Sequence, residues 1–214
     1  MIHVIPEGGF LRRMATEEAA HAEKIVGELR SDIIKFYQHS KGSIEAIGLL
    51  FSEMAKQPLP PQVICQILGL DVETVKAAFE AGKPPVATQD QLIDAVQKSV
   101  DLEDTVEMYK PIFTRHIKRF QNAEEVMREL GPQMTEFHKK VGGNVDSIAA
   151  FFLDLAPEAS RAQGMPPGMI NALLRIDPSA KTCQAEDFLG CFERNLDLSD
   201  TVAVIKPVLD RHSQ

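Results

Sequence analysis

Through most of the chain, apolar residues recur three and four positions apart, the spacing of one face of an α-helix. Ile25, Leu29, Ile33 and Phe36 mark a first helix. Thr16 is placed to cap it, Glu17 and Glu18 face the positive end of its dipole, and Lys41-Gly42 ends it. Ser43 opens a second helix over 44–56, with Ile44, Ile47, Phe51 and Met54 on one face. Pro60-Pro61 begins a short third helix reaching Ile67 or Leu68, because proline is tolerated in a first turn. Asp71 is placed to cap a fourth, over 72–81, which Gly82 stops. Thr88 and Gln91 have the spacing of a capping box in front of Leu92, Ile93, Val96 and Val100. A further helix starts near Asp104. Pro111 lies inside its pattern, so the helix either kinks there or begins anew. No stretch alternates convincingly enough for a strand, and the fold class is all-α.

The same pattern then repeats. His21 to Leu29 matches Asn122 to Leu130 at a displacement of 101 positions, and the register runs on through Phe36/Phe137, Gly42/Gly143, Ile47/Ile148 and Phe51/Phe152. At 106 positions, Pro60-Pro61 matches Pro166-Pro167, followed by Ile64/Ile170, Leu68/Leu174 and Asp71/Asp177. At 96 positions, Asp101-Leu102 matches Asp197-Leu198, Asp104-Thr105-Val106 matches Asp200-Thr201-Val202, Lys110-Pro111 matches Lys206-Pro207, and Arg115-His116 matches Arg211-His212. The displacement changes only in loop-like stretches, around 157–165 and 72–88. The second change would delete much of the small fourth helix from the second copy. Helical periodicity alone would not repeat the polar identities.

These observations predict an internally duplicated helical bundle. Two repeats of roughly 95 residues, 15–121 and 122–214, would pack as one body with approximate two-fold symmetry. A head-to-tail pair of lobes is the alternative. Residues 1–14 have no counterpart in the second copy and are expected to form a flexible extension; Met14 would also serve as a translation start.

Composition narrows the functions. The 214 residues are 44% hydrophobic and 25% charged, as in an ordinary globular protein. The net charge of -8 repels phosphate on average, and with no Trp and two Tyr the chain is poorly supplied for base stacking, so nucleic acid is not expected as a partner. No apolar run approaches the ~20 residues of a membrane span. Three cysteines do not make a disulfide framework and suggest a reducing, cytoplasmic setting.

Chemistry-bearing motifs are sparse. None of the six His pairs at i, i+4, no Cys-x-x-Cys occurs, and Gly8-Gly9 and Gly142-Gly143 are isolated pairs outside any phosphate loop, so no metal or cofactor is expected. The paired carboxylates Glu17-Glu18, Glu124-Glu125 and Asp101/Asp104 sit where helix starts use them. The candidate binding residues come from the repeated string: Lys110, Arg115 and His116, and Lys206, Arg211 and His212. At ~100° per residue His116 borders the face of Val106, Tyr109 and Phe113, as His212 borders that of Val202, Ile205 and Leu209. Two symmetric basic clusters would suit an anionic group or a partner's acidic segment. In the structural reading of the same string, Asp caps, Pro kinks, Lys and Arg offset the helix dipole, and His fills a half-buried boundary. Phe151 and Phe152 complete the candidates, since adjacent helix positions cannot face one way and one of them is expected either at the repeat–repeat interface or on the wall of a pocket between the repeats.

The expectation that follows is a non-enzymatic interaction or adaptor protein presenting a helical groove or surface to a protein partner, with homo-oligomers an open possibility. A carrier of an apolar small molecule held between the repeats is the first alternative, and an enzyme using the Arg-His clusters the second. A carrier requires an apolar cavity of ~300–1,000 Å³. An enzyme requires a cleft where one of the histidines meets a carboxylate.

Overall fold

The computed structural model describes residues 7–80, 85–156, 161, 164–166 and 168–213. Among these the chain forms ten α-helices and only isolated bridges in place of strands. It divides into two compact units, Met1–Ile117 and Lys118–Gln214, with the boundary inside one long helix.

The first unit contains α1 (Glu7–Ser40), α2 (Ile44–Met54), α3 (Pro61–Ile67), α4 (Val72–Glu80), α5 (Gln89–Lys98) and the start of α6 (Val106–Lys140). α1 packs along α5, α2 on α3, and α3 on α4. The predicted apolar stripes become its core: Leu29, Ile33, Phe36, Ile47, Leu92 and Phe113 are fully buried, and Leu50, outside the predicted stripe, is buried with them. The local end signals act as their chemistry requires. Ser43 Oγ accepts from the Ala46 amide, both bonds of the Thr88/Gln91 capping box form, and Asp71 accepts from the Thr74 amide and hydroxyl.

One element differs from the sequence expectation. α1 begins at Glu7, so residues 7–14 are helical and Thr16 lies within the helix instead of capping it; residues 1–6 lie outside the described residues. Leu11 to Met14 contains no helix breaker, so nothing stops the helix from extending past Thr16. At Pro111, where the sequence left a kink or a new helix open, α6 runs on without beginning anew. Proline at this sixth position removes only the donor to the Glu107 carbonyl, on an exposed first turn where water can replace it.

The second unit contains the rest of α6, α7 (Val145–Leu155), α8 (Met169–Leu174), α9 (Ala185–Asn195) and α10 (Val202–His212). α7 packs on α8 and α10, and α8 on α9. Phe137, Ile148, Phe151, Phe188, Cys191 and Ile205 are fully buried in its core. No helix separates α8 from α9, where the first unit has α4. Instead the buried Asn171 amide donates to the Asp177 and Ala180 carbonyls and holds the short loop closed.

Each unit also contains the same backbone clasp. In the first, the Ala87 amide donates to the Gly42 carbonyl at 2.9 Å, and Ser43 bridges Val86. In the second, the Cys183 amide donates to the Gly143 carbonyl at 3.0 Å, and Asn144 bridges Thr182. Both glycines have positive φ, +74° and +66°. A Cβ on either would stand 2.3 or 2.4 Å from the carbonyl oxygen of Ala87 or Cys183. Glycine is required there both by the left-handed turn and by the close approach.

Candidate functional site

The repeated Arg-His pair forms a similar arrangement in each unit. On α6, His116 is buried, with its ring edge-on to Phe36 at 6.0 Å. Its Nε2 donates to Glu53 Oε2 on α2 at 3.0 Å, and the exposed Arg115 guanidinium contacts the same oxygen. On α10, His212 is half-buried, edge-on to Phe151 at 5.8 Å and to Phe137 at 6.2 Å. Its Nε2 donates to Asp154 Oδ2 on α7 at 2.9 Å. That hydrogen bond, together with the positive charges of His212, Arg211 and Arg161, holds the Asp154 carboxyl below the usual carboxylate range.

The imidazoles therefore work as clasps between helices. Glu53 already answers the charge of Arg115, which weakens any field the cluster could offer an external anion. Lys110 and Lys206 are exposed and do not join these clusters. Six residues advance ~600° around a helix, so each lysine points ~120° away from its histidine. Phe151 is fully buried in the core. Phe152 is half-buried and lines a pocket of about 210 Å³ with Leu155, Phe192, Leu196 and Ile205. Asn195 and Asp200 supply polar wall.

All three cysteines are free and buried, and burial pushes each thiol up, Cys191 to about 11. Cys183 Sγ lies 3.8 Å from His138 Nε2, but that nitrogen donates to the Cys183 carbonyl at 3.0 Å and so carries a proton already. Among the described residues no group of three His, Cys, Asp or Glu is placed to hold a metal ion, and no helix is long and apolar enough to cross a membrane.

Two acidic partners were missed by sequence reasoning, Glu53 and Asp154. Both lie two residues beyond Phe51/Phe152, where the 101-position register stops. Carrying that register two residues further places a carboxylate at both positions. Asp104 was read as a helix-start carboxylate, but its tie to Tyr109 was unforeseen: its Oδ2 accepts from the Asp101 amide at 2.7 Å and from the Tyr109 hydroxyl at 2.5 Å.

The His212 clasp makes a pH prediction. A carboxyl held below its ordinary value, about 3.9 for Asp, stabilises the fold while ionised. That contribution is complete above the ordinary value and disappears as pH falls through the lowered one. Asp154→Asn is expected to be slightly less stable at neutral pH and to lose less stability on acidification below about pH 5. The effect is small because Asp154 is 43% exposed. Thermal melts across that range check it, and parallel acid limbs for the two proteins would contradict it.

No family model, no curated protein and no solved structure matches this chain.

Proposed function

We propose that this chain is a helical protein-interaction module whose partner offers a basic, amphipathic segment. One observation carries the reading. Leu102 and Met108 are 44% and 42% exposed at the entrance to α6, and the neighbouring Asp101, Glu103 and Glu107 are exposed with them. Asp104 ties this stretch together, since its carboxylate takes both the Asp101 amide and the Tyr109 hydroxyl. Apolar side chains held in a fixed turn within an acidic rim favour a partner with apolar anchors and flanking Lys or Arg. The net charge of -8 favours the same sign of partner.

The second unit repeats the apolar part of this surface. Leu198 and Val204 are 40% and 51% exposed before and within α10, but Ser199 and Ala203 stand where the first unit has Glu103 and Glu107. We infer that the two units descend from one duplicated sequence and have diverged in charge at this surface. The matched residue blocks, the two glycine clasps and the two His–carboxylate pairs support that reading. The carrier alternative gains little from the second unit's pocket, whose volume of about 210 Å³ is below the usual range for drug-sized ligands.

The test is quantitative affinity purification of the tagged chain from its own source, at low and at high salt. The double variant Leu102→Asp/Met108→Asp is compared with wild type after their melting temperatures are matched. The expected result is a protein retained by wild type, released by salt and absent from the variant, with a Lys/Arg-rich amphipathic segment. A bound set identical for both proteins, or insensitive to salt, would overturn the proposal.

A further inference from the structure

We propose that the second unit binds a small phenol in the pocket beside Asp200. The first unit shows what that carboxylate is built to receive. There Asp104 Oδ2 takes the Asp101 amide at 2.7 Å and, as a second donor, the hydroxyl of the buried Tyr109 at 2.5 Å. Burial and the Asp104 carboxylate raise the Tyr109 pKa, so its hydroxyl keeps its proton and acts as the donor.

In the second unit the carboxylate and its turn are retained. Asp200 Oδ2 accepts from the Asp197 amide at 2.7 Å. Five residues on, where the first unit has Tyr109, stands Ile205, which has neither ring nor hydroxyl. A pocket of about 210 Å³ lies at this point, with Ile205 and Asp200 among its lining residues. Phe152, Phe192 and Leu196 add apolar wall. Asn195 is also on the wall, but its amide nitrogen already donates to the Cys191 carbonyl at 2.8 Å.

Size and chemistry agree on the ligand. An apolar cavity of ~150 Å³ holds a benzene ring. The present volume therefore has room for one ring with its hydroxyl. Two phenylalanines on the wall favour an aromatic ring in edge or offset contact. A phenol O–H onto a carboxylate is a charge-assisted hydrogen bond, about twice as strong as a neutral one. A toluene-like molecule would leave Asp200 without its second donor. This inference does not depend on the protein-partner reading.

The test is an NMR titration of the full chain with p-cresol, with toluene and benzylamine as the other arms. The expected result is saturable shifts at amides around Phe152, Phe192 and Leu196, with p-cresol binding roughly 10-fold or more tightly than toluene. Asp200→Asn removes that preference, and Ile205→Tyr, which refills the pocket with a tethered phenol, abolishes p-cresol binding. Equal affinity for p-cresol and toluene would reduce the site to an unspecific apolar hollow. Tighter binding of benzylamine would make it a cation site. Absence of saturation, or unchanged p-cresol binding by Ile205→Tyr, would place any binding elsewhere. Each of these overturns the proposal. If Ile205→Tyr does not fold, the p-cresol-to-toluene ratio in wild type and Asp200→Asn still decides it.

Discussion

Gly42→Ala and Gly143→Ala are each expected to lower the melting temperature by roughly 6–12 °C. A left-handed backbone costs a residue with a Cβ about 1–2 kcal/mol. At these two positions the added carbon also meets a carbonyl oxygen at 2.3 or 2.4 Å. Relieving that overlap pushes the loop off the glycine carbonyl and breaks the bond from Ala87 or Cys183, at about 1 kcal/mol more. The total is on the order of 3 kcal/mol, a large share of a typical domain's stability. Gly142→Ala separates the two causes, because Gly142 has φ +62° but no atom within 4 Å of its would-be Cβ. It should show only the smaller, conformational loss. Calorimetric melts of the three variants check this. Equal losses at Gly142 and Gly143 would remove the clasp from the explanation.

Phe151→Ala is expected to destabilise the second unit by about 3–5 kcal/mol. Phe151 is fully buried, and its ring meets those of Phe137, Phe152, Phe188, Phe192 and His212 at 5.2–6.1 Å between centroids. Its removal leaves a cavity among rings too rigid to close it. Phe152→Ala, one residue on, should cost well under half as much, because Phe152 is half-buried and already borders open space. Denaturant unfolding of both variants measures the difference. Similar losses at the two positions would mean that the core does not divide between them in this way.

What the sequence made legible was local. Ser43, Asp71 and Thr88 each lie within three residues of the amide they cap, so spacing alone identified them. The apolar faces of α2 and α5 followed for the same reason. The start of α1 was not legible, because Thr16 is both an acceptable cap and an acceptable interior residue, and only the residues before it decide which. The glycine clasps required a contact across 45 and 40 residues, from Gly42 to Ala87 and from Gly143 to Cys183, which no periodicity encodes.

The candidate site divides in the same way. The position of His116 at the edge of an apolar face could be read from helix geometry. Its partner Glu53 lies 63 residues away, on another helix. Once that carboxylate is in place, the basic string becomes a structural tie and loses most of its appeal as an anion site. The acidic turn at 101–104 looked like a capping device, yet its Asp104 carboxylate closes on the Asp101 amide behind it and on the Tyr109 hydroxyl, and Leu102 and Met108 stand exposed beside it. Exposure is a property of the folded unit, and helical spacing gave no sign of it.

The most direct test of the interaction surface is photo-crosslinking inside the source cell, with a reactive amino acid at position 102 or 108 and a control at the exposed Lys24. The expected result is one dominant protein adduct from 102 and 108, none from position 24, and loss of the adduct when Asp101, Glu103 and Glu107 are changed to lysine. Adducts no different from the control position, or undiminished by the charge reversal, would contradict the assignment of this acidic, apolar turn as the docking surface.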